Sequence, residues 1–269
     1  MTTYYQQIED YYDGDANDFD RRYWNNFTLQ LIRQDFREQV KRFHFTQMLE
    51  IGYGTGLDMI HFGKTHPDVK VSGIDISGRM QQITEEKILN ADLENVSARK
   101  GSVEDLLQLF PEARFDMVYV FFGALNTVAD LSRAADVLYK ASAPGGTLVL
   151  TFVNKYYLAG MLIELLKLRP KSAFSRLKKV WGGYSPSENL SSHCYSPAEI
   201  RESFAQFKLL SYKGYSIIHP AWYYHRLNKI FRRLSPWLWR ADQHINKTTF
   251  WSLGEYTLFA FQKPDNINQ

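Results

Sequence analysis

Three glycines at alternate positions, Gly52, Gly54 and Gly56, follow a short apolar run. Glu50 stands two residues before the first glycine, and a second acidic residue, Asp75, ends the next apolar run. The pattern predicts a strand, a glycine turn, a helix, a second strand and an acidic residue, in that order. This arrangement holds an adenosine-containing cofactor at the carboxyl ends of parallel strands. Binding of such a cofactor is therefore the first chemistry that the chain offers.

The spacing of the glycines separates two classes of cofactor. A dinucleotide-binding turn has the pattern G-x-G-x-x-G, and its third glycine would fall at position 57, which is Leu57. The carboxylate of Glu50 suits a cofactor with a free amino group and a positive sulfonium. At this point the chain resembles the class I S-adenosylmethionine-dependent methyltransferases, whose first motif is (E/D)-x-G-x-G-x-G. The resemblance implies S-adenosylmethionine as cofactor and S-adenosylhomocysteine as product.

The resemblance also implies roles for residues after the glycine turn. Asp75 lies nineteen residues after Gly56 and would accept hydrogen bonds from both ribose hydroxyls. The alternative for Asp75 is a helix N-cap. Ile76 belongs to the same second motif, and Met80 occupies the slot of a side chain that packs against adenine.

A third segment of the resemblance would hold the adenine ring. Ser102 stands where relatives carry an aspartate that binds the adenine amino group, and a serine oxygen can accept that bond without charge. The backbone of Val103 would serve a ring nitrogen. Phe121 belongs to the strand end and loop that face the methyl group in the family.

Two residues are candidates for the reaction itself. Asn126, in the loop after the Phe121 strand, would orient the substrate or hold the methionine part, with loop capping as the alternative. Methyl transfer is an in-line displacement in which proximity supplies most of the rate, and a base is needed only for a protonated nucleophile. His193 precedes a capped helix and is our first candidate for that base. The other candidates are His219, His225 and Tyr195.

The N-terminal residues resemble the lead-in of the ubiquinone-biosynthesis type of methyltransferase. Tyr11-Tyr12-Asp13 matches its first part, and Phe19 replaces its second tyrosine. Such a lead-in folds over the cofactor, so the resemblance implies that Tyr12 or Tyr23 touches the cofactor carboxylate. Core packing of either tyrosine is the alternative.

The elements that must position these residues alternate between strand and helix. Five such alternations imply parallel strands with right-handed crossovers and helices on both faces. The last two strands are expected to form an antiparallel edge. We predict a Rossmann-like α/β fold, with a seven-stranded, mostly parallel sheet, an antiparallel last strand and helical cap insertions. The predicted strands lie near residues 47–51, 70–74, 96–100, 115–122, 147–153, 209–218 and 250–261.

The predicted organisation has three parts with different charge. Residues 1–46 form a helical lead-in over the cofactor, and residues 47–153 with 193–262 form the methyltransferase domain. Residues 154–192 and 219–249 form cap insertions that bind the substrate. Residues 1–153 carry a net charge of −7, whereas residues 154–247 carry +11. The charge change fits a cofactor-binding scaffold followed by a specialised substrate-facing part, and a solvated basic surface is the alternative explanation.

Composition and absent motifs narrow the function. A single cysteine, Cys194, favours a reducing cytoplasm, and the acidic N-terminus does not look like a signal peptide. No histidine and cysteine cluster has metal-ligand spacing, so no metal is expected. The loop after Phe121 lacks the motif of enzymes that methylate base amino groups, which disfavours a nucleic-acid partner. Nucleic acid stays a less favoured alternative, because Lys171 to Lys179 and Arg226 to Arg240 are basic segments with interleaved aromatic residues. No feature indicates an oligomeric state.

Two substrate classes are favoured over nucleic acid for a catalytic chain. One is a small molecule under the aromatic cap. The other is a lipid or amphipathic substrate at a membrane surface, contacted through residues 222–240, where Trp222, Phe231, Trp237 and Trp239 alternate with arginines. A non-catalytic S-adenosylmethionine-binding protein is the third hypothesis, which the intact glycines and Asp75 disfavour.

Overall fold

A seven-stranded sheet forms the centre of the computed structural model, which describes residues 2–181, Leu190 and residues 192–265. The strands are β1 Gln47–Ile51, β2 Lys70–Asp75, β3 Val96–Lys100, β4 Phe115–Val120, β5 Ser142–Val153, β6 Lys208–Tyr215 and β7 Tyr256–Gln262. Their order is β3-β2-β1-β4-β5-β7-β6, and β7 runs antiparallel to both of its neighbours. The predicted fold class, with its mostly parallel sheet and antiparallel last strand, is confirmed.

Helices connect the strands and flank the sheet. They are α1 Thr2–Trp24, α2 Phe27–Val40, α3 Leu57–Thr65, α4 Gly78–Asn90, α5 Leu106–Leu109, α6 Leu131–Ala141, α7 Leu158–Leu166, α8 Pro170–Ala173, α9 Pro197–Ser203, α10 His225–Ile230 and α11 Ser235–Ile245. Helices α1 and α2 are separated at Asn26, whose side chain caps α2 by accepting the Leu29 N–H at 3.1 Å.

Both faces of the sheet are covered, as the alternation of strands and helices predicted. Successive strand residues point to opposite faces. Met117 and Tyr119 accordingly join one core with α2 and α3, and Val118 and Val120 join the other core with α6 and α9. The carboxyl edge of the sheet is thereby held rigidly between two packed layers.

Helix α1 lies over that carboxyl edge, and acidic side chains attach it there. Asp13 accepts the hydroxyl proton of Ser77 and the backbone N–H of Arg79 at the start of α4. Asp20 pairs with Lys87, and Glu9 pairs with Lys100 at the end of β3. A polar lead-in thus becomes a helix that covers the loops after β1, β2 and β3.

The two insertions meet the same edge from the other side. Helices α7 and α8 follow β5, and helices α10 and α11 lie between β6 and β7. Across residues 2–181, 190 and 192–265, we find no helix whose length and apolar character would let it cross a membrane. The edge therefore lies between α1 and the insertions, and the site is there.

Candidate active site

A cleft of about 1310 Å³ opens at the carboxyl ends of the parallel strands, beneath α1 and the insertions. Its first half is lined by α1 and by the loops after β1 to β4, and its second half by residues of the insertions and the start of β7. Single small-molecule sites commonly enclose about 300–1,000 Å³. The cleft therefore has room for a cofactor and a second molecule side by side.

The glycine turn after β1 forms the floor of the first half. Gly52 has φ +71°, and a Cβ on it would lie 2.4 Å from the Cβ of Ala124, so only glycine fits there. Gly52 and Gly54 line the cleft. Gly56, also with positive φ, instead lets α3 approach Thr84 of α4, where an added Cβ would lie 2.5 Å from the Thr84 methyl. The role of Gly56 is therefore packing beneath the site.

Asp75, at the end of β2, is buried at the wall of the cleft. Its carboxylate accepts the N–H of Gly54 at 2.8 Å and the N–H of Ser77 at 2.9 Å. The N-cap of α4 is Ser77, so Asp75 does not take that role. Because a carboxylate has about four acceptor positions, Asp75 keeps capacity for two ligand hydroxyls. Burial raises the pKa of Asp75 to about 6, although the hydrogen bonds from the Ser77 and Gly54 N–H groups lower it.

The residues predicted to hold a purine also line the cleft. Ile76, Met80, Ser102 and Val103 lie together in its wall beside Asp75. The hydroxyl of Ser102 donates to Asp105 at 2.7 Å, and this leaves the Ser102 oxygen free to accept a further hydrogen bond. A serine can therefore offer the acceptor that the family's aspartate offers.

Glu50, at the end of β1, belongs to a buried cluster of charged side chains. Tyr119 donates its hydroxyl to Glu50 at 3.0 Å. Burial and the nearby Asp58 carboxylate raise the pKa of Glu50 well above its ordinary value, while Arg33 acts in the opposite direction. A cofactor ammonium group would favour the ionised form of Glu50 and so would lower that pKa again.

Arg33 is a cleft residue that the sequence analysis did not identify. It pairs with Asp58, and its guanidinium lies between the rings of Tyr23 at 4.6 Å and Phe122 at 4.8 Å. Its Nε is buried without a hydrogen-bond partner among the described residues. Position 33 stands three residues before Phe36 on the buried stripe of α2, and a charge on such a stripe was the signal for it.

The structure also places the predicted aromatic residues at the cleft. Tyr12, Tyr23 and Phe121 line the cleft. Phe19 lines it as well, and its ring lies 3.4 Å from the position of a Cβ on Gly54. Contact of Tyr12 or Tyr23 with a cofactor carboxylate stays a prediction.

The structure does not bring Asn126 and His193 into the cleft. The side chain of Asn126 is fully buried and donates to the carbonyl groups of Val153 and His193, while it accepts the Val153 N–H at 2.9 Å. Nδ1 of His193 lies 2.6 Å from the carbonyl oxygen of Lys179, and its ring stacks on Tyr195. Backbone groups engage the amide of Asn126 and the Nδ1 of His193, and neither residue lines the cleft. The catalytic roles predicted for them stay predictions that this geometry does not favour.

The second half of the cleft contains a buried charged centre that sequence reasoning missed. Arg176 lies between the rings of Tyr157 at 5.0 Å and Trp181 at 4.8 Å, donates to the Tyr223 hydroxyl at 3.1 Å, and lies 3.7 Å from Glu255. Burial raises the pKa of Glu255 to about 8, although Arg176 lowers it. The only sequence signal was an acidic residue directly before the apolar strand β7.

The aromatic side chains of residues 222–240 lie partly inside the protein and partly at its surface. Trp222 lines the cleft and donates to the Tyr256 hydroxyl at 3.2 Å, and Trp239 packs against Tyr215. Trp237, in contrast, is 68% exposed, and Phe231 is exposed beside it. Two of the four aromatic residues predicted for a membrane surface therefore face the protein.

Comparison with known proteins identifies the cofactor half. Residues 48–146 match the family model described as "Methyltransferase domain". Over 126 residues the chain is 30% identical to a demethylmenaquinone methyltransferase of Listeria monocytogenes, a match that covers 46% of this chain and 48% of that protein. The chain thus spans about half the length of the curated relatives it matches, and the insertions lie largely beyond the family model.

Solved structures share the fold over most of the chain. The [4+2]-cyclase SpnF superposes with a TM-score of 0.59 at 18% identity, covering 88% of this chain and 82% of that one. An S-adenosylmethionine-dependent methyltransferase of Mesorhizobium loti superposes with a TM-score of 0.57 at 14% identity, covering 85% and 96%. One fold supports both a methyltransferase and a cyclase, so the reaction must be argued from the site.

Proposed function

We propose that this chain is a class I S-adenosylmethionine-dependent methyltransferase and that it methylates a small-molecule acceptor bound under the cap insertions. Asp75 carries the proposal, because its buried carboxylate keeps acceptor capacity beside the glycine turn. The residues present fit the cofactor of the family. When bound, S-adenosylmethionine supplies a methyl group on a positively charged sulfur.

Each end of the cofactor has a matching group in the cleft. Asp75 would accept the ribose hydroxyls, and Ser102 with the backbone of Val103 would meet the adenine edge. Glu50 would face the amino group. Arg33 supplies the positive charge for the carboxylate, and its unpartnered Nε is a donor available for that purpose.

The second half of the cleft would hold the acceptor. Its walls combine aromatic side chains, which can pack against an apolar part of an acceptor, with basic side chains such as Lys167, Arg169 and Arg176. We propose that these walls hold the acceptor atom in line with the methyl group, so that proximity supplies most of the rate. Residues 154–192 and 219–249 then act as the substrate cap, and residues 182–189 and 191 of that cap lie outside the described part of the chain.

Calorimetry with S-adenosylhomocysteine tests the cofactor half of the proposal. The wild-type protein should bind it, and Asp75→Ala should weaken binding at least tenfold, since charged hydrogen bonds to two hydroxyls are lost. Asp116→Ala is the matched control, because Asp116 caps the amino end of β1, at the opposite edge of the sheet. Failure of the wild-type protein to bind would refute the proposal.

A second candidate function has its own observation. Exposed apolar side chains cover the outer face of the insertions, including Leu162, Leu166, Leu168 and Trp237. Lysines and arginines of the same segments lie among them, and several of these line the margin of the cleft. Apolar and basic groups together favour an anionic membrane surface. On this proposal the acceptor is amphipathic and enters the cleft from the bilayer.

Co-sedimentation with vesicles separates the two candidates. A membrane-associated enzyme should sediment with vesicles of phosphatidylcholine and phosphatidylserine, and less with phosphatidylcholine alone. The double substitution Leu166→Ser with Leu168→Ser should weaken sedimentation, whereas Leu89→Ser, at an equally exposed leucine of α4, should not. Absence of binding to the anionic vesicles would leave the first candidate alone.

A further inference from the structure

The charged side chains of the cleft differ in sign between its two halves. In the cofactor half, acidic residues outnumber basic ones, and the charged residues there are Asp15, Glu50, Asp58, Asp75 and Glu104 with Arg22 and Arg33. In the acceptor half, which is the second half of the cleft, the charged residues are Lys167, Arg169, Lys171, Arg176 and Lys178 with Glu164 and Glu255. A cleft lined mainly by one sign of charge concentrates ligands of the opposite sign. The acceptor half therefore favours a negatively charged ligand.

Three of these basic side chains have no acidic partner among the described residues. Lys167 and Arg176 each face a carboxylate, at 2.7 and 3.7 Å, but Arg169, Lys171 and Lys178 form no such ion pair within the part of the chain that the structure describes. All three are exposed and yet line the cleft, so they lie at its mouth. Their charge is therefore available to a ligand that enters there.

Apolar side chains lie next to the three cations. Leu168, Phe174 and Leu177 are exposed beside them in the chain, and Trp181 and Trp222 line the cleft itself. A molecule with one anionic end can place that end on the cations and its apolar part on these side chains. A small ion that is charged throughout would leave the apolar side chains in water.

We infer that the acceptor is an amphipathic anion whose carboxylate or phosphate group binds Arg169, Lys171 and Lys178 at the mouth of the cleft. The apolar part of the acceptor then extends along the aromatic walls toward the cofactor half. A positively charged group would be repelled at the same place. The inference rests on the proposed function, because it places one end of the acceptor while the cofactor half supplies the methyl group.

Equilibrium dialysis with amphiphiles that share a decyl chain tests the inference. The probes are decyl phosphate, decanoate, the neutral decanamide and decyltrimethylammonium, each below its critical micelle concentration, with the protein saturated with S-adenosylhomocysteine. Each exposed ion pair strengthens binding about twofold, so one of the two anions should bind about tenfold more tightly than decanamide. The tighter anion identifies the group, and decyltrimethylammonium should bind more weakly than decanamide.

A short anion tests the apolar part of the inference. The tighter of the two anions should bind at least tenfold more tightly than its counterpart without a chain, which is inorganic phosphate for decyl phosphate and acetate for decanoate. The reason is that each buried methylene group strengthens binding about fourfold. Equal affinity of the long and the short anion would overturn the amphipathic class.

A triple substitution tests the assignment to the three cations. Arg169→Gln, Lys171→Gln and Lys178→Gln together remove their charge, so the preference for the tighter anion over decanamide should fall below threefold. The Kd of decanamide and the Kd of S-adenosylhomocysteine should stay within threefold of the wild-type values. An unchanged preference for the anion would overturn the inference.

The matched control removes the same amount of charge elsewhere. Lys64, Lys70 and Lys140 are also exposed and form no ion pair with the described residues, but they do not line the cleft. The combined change Lys64→Gln, Lys70→Gln and Lys140→Gln should keep the tenfold preference. An equal loss in both triple variants would show that net charge attracts the anion, and would overturn a site at the mouth.

The outcomes separate this inference from the proposed function. If neither anion binds the wild-type protein, or if decanamide or decyltrimethylammonium binds as tightly as both anions, the inference is wrong without any variant. Calorimetry with S-adenosylhomocysteine alone tests the proposed function. Normal binding of that product together with no preference for an anion would refute the acceptor class only.

Discussion

Replacing Asp75 by asparagine should change both the affinity for S-adenosylhomocysteine and its dependence on pH. In the folded protein, burial raises the pKa of Asp75 to about 6, from an ordinary value of 3.8. The ionised carboxylate is the form that accepts two ribose hydroxyls. Affinity should therefore be fully present above pH 6 and should fall as the pH drops through that value.

The size of both effects follows from the contacts of Asp75. At pH 5, one unit below the pKa, about one carboxyl in ten remains ionised, so the wild-type Kd should rise about tenfold. Asp75→Asn removes the charge and turns an amide group toward the N–H of Gly54 or of Ser77. We expect a loss of about 2 kcal/mol at pH 7.5, or roughly 30-fold in Kd. At pH 5 the difference between the two proteins should shrink to about threefold.

Isothermal titration calorimetry at pH 7.5, 6 and 5 measures these values. Glu50 also gains charge as the pH rises, but it is common to both proteins, so the ratio of their Kd values isolates Asp75. The control Asp116→Asn should follow the wild-type curve, since that carboxylate caps the opposite end of β1. A ratio that stays constant from pH 7.5 to pH 5 would refute the assignment of Asp75 as the ionised ribose-binding group.

Three further predictions concern stability. Gly56→Ala should lower the free energy of unfolding by about 2–4 kcal/mol in urea titration, because its Cβ combines positive φ with a contact to Thr84; a loss under 1 kcal/mol would contradict this. Asn126→Ala should lower the free energy of unfolding by about 2–4 kcal/mol and leave the Kd for S-adenosylhomocysteine within threefold of the wild-type value. Loss of binding at unchanged stability would instead support a role of Asn126 in the site. Glu255 holds its proton up to a pH of about 8 in the folded protein, but only up to about 4.5 in the unfolded chain. The folded state therefore binds more protons between these values, and the free energy of unfolding of the wild-type protein should fall by about 1 kcal/mol for each pH unit of increase. Glu255→Gln should flatten that slope, and an identical slope would show that another group causes it.

The cofactor half could be predicted from sequence because its signals are local. The glycine turn needs positive φ within a few residues of Glu50, and Asp75 follows at the end of the next strand, so spacing alone assembles them. The strands β1 and β3 begin and end at the predicted residues. The hydrogen-bond partners of Asp75 are likewise within about twenty residues of it in the chain.

The acceptor half could not be predicted in the same way, because its contacts join distant residues. Arg176 meets Glu255 only because β7 inserts beside β5 and brings its first residues to the end of that strand. Asn126 and His193 carried suitable chemistry, but the packing turned both toward backbone groups. Side-chain orientation depends on such packing, and no spacing rule encodes it.

The sequence by itself therefore determined the fold class, the cofactor and the residues at the carboxyl ends of β1, β2 and β3. It could do so because the hydrophobic periodicity, the glycines and the acidic residues that carry these predictions all lie within single strand–helix units. The tertiary structure alone decided which side chains face the second half of the cleft. There the insertions close over the sheet edge, and burial leaves the oxygens of Tyr157 and Glu255 without partners among the described residues.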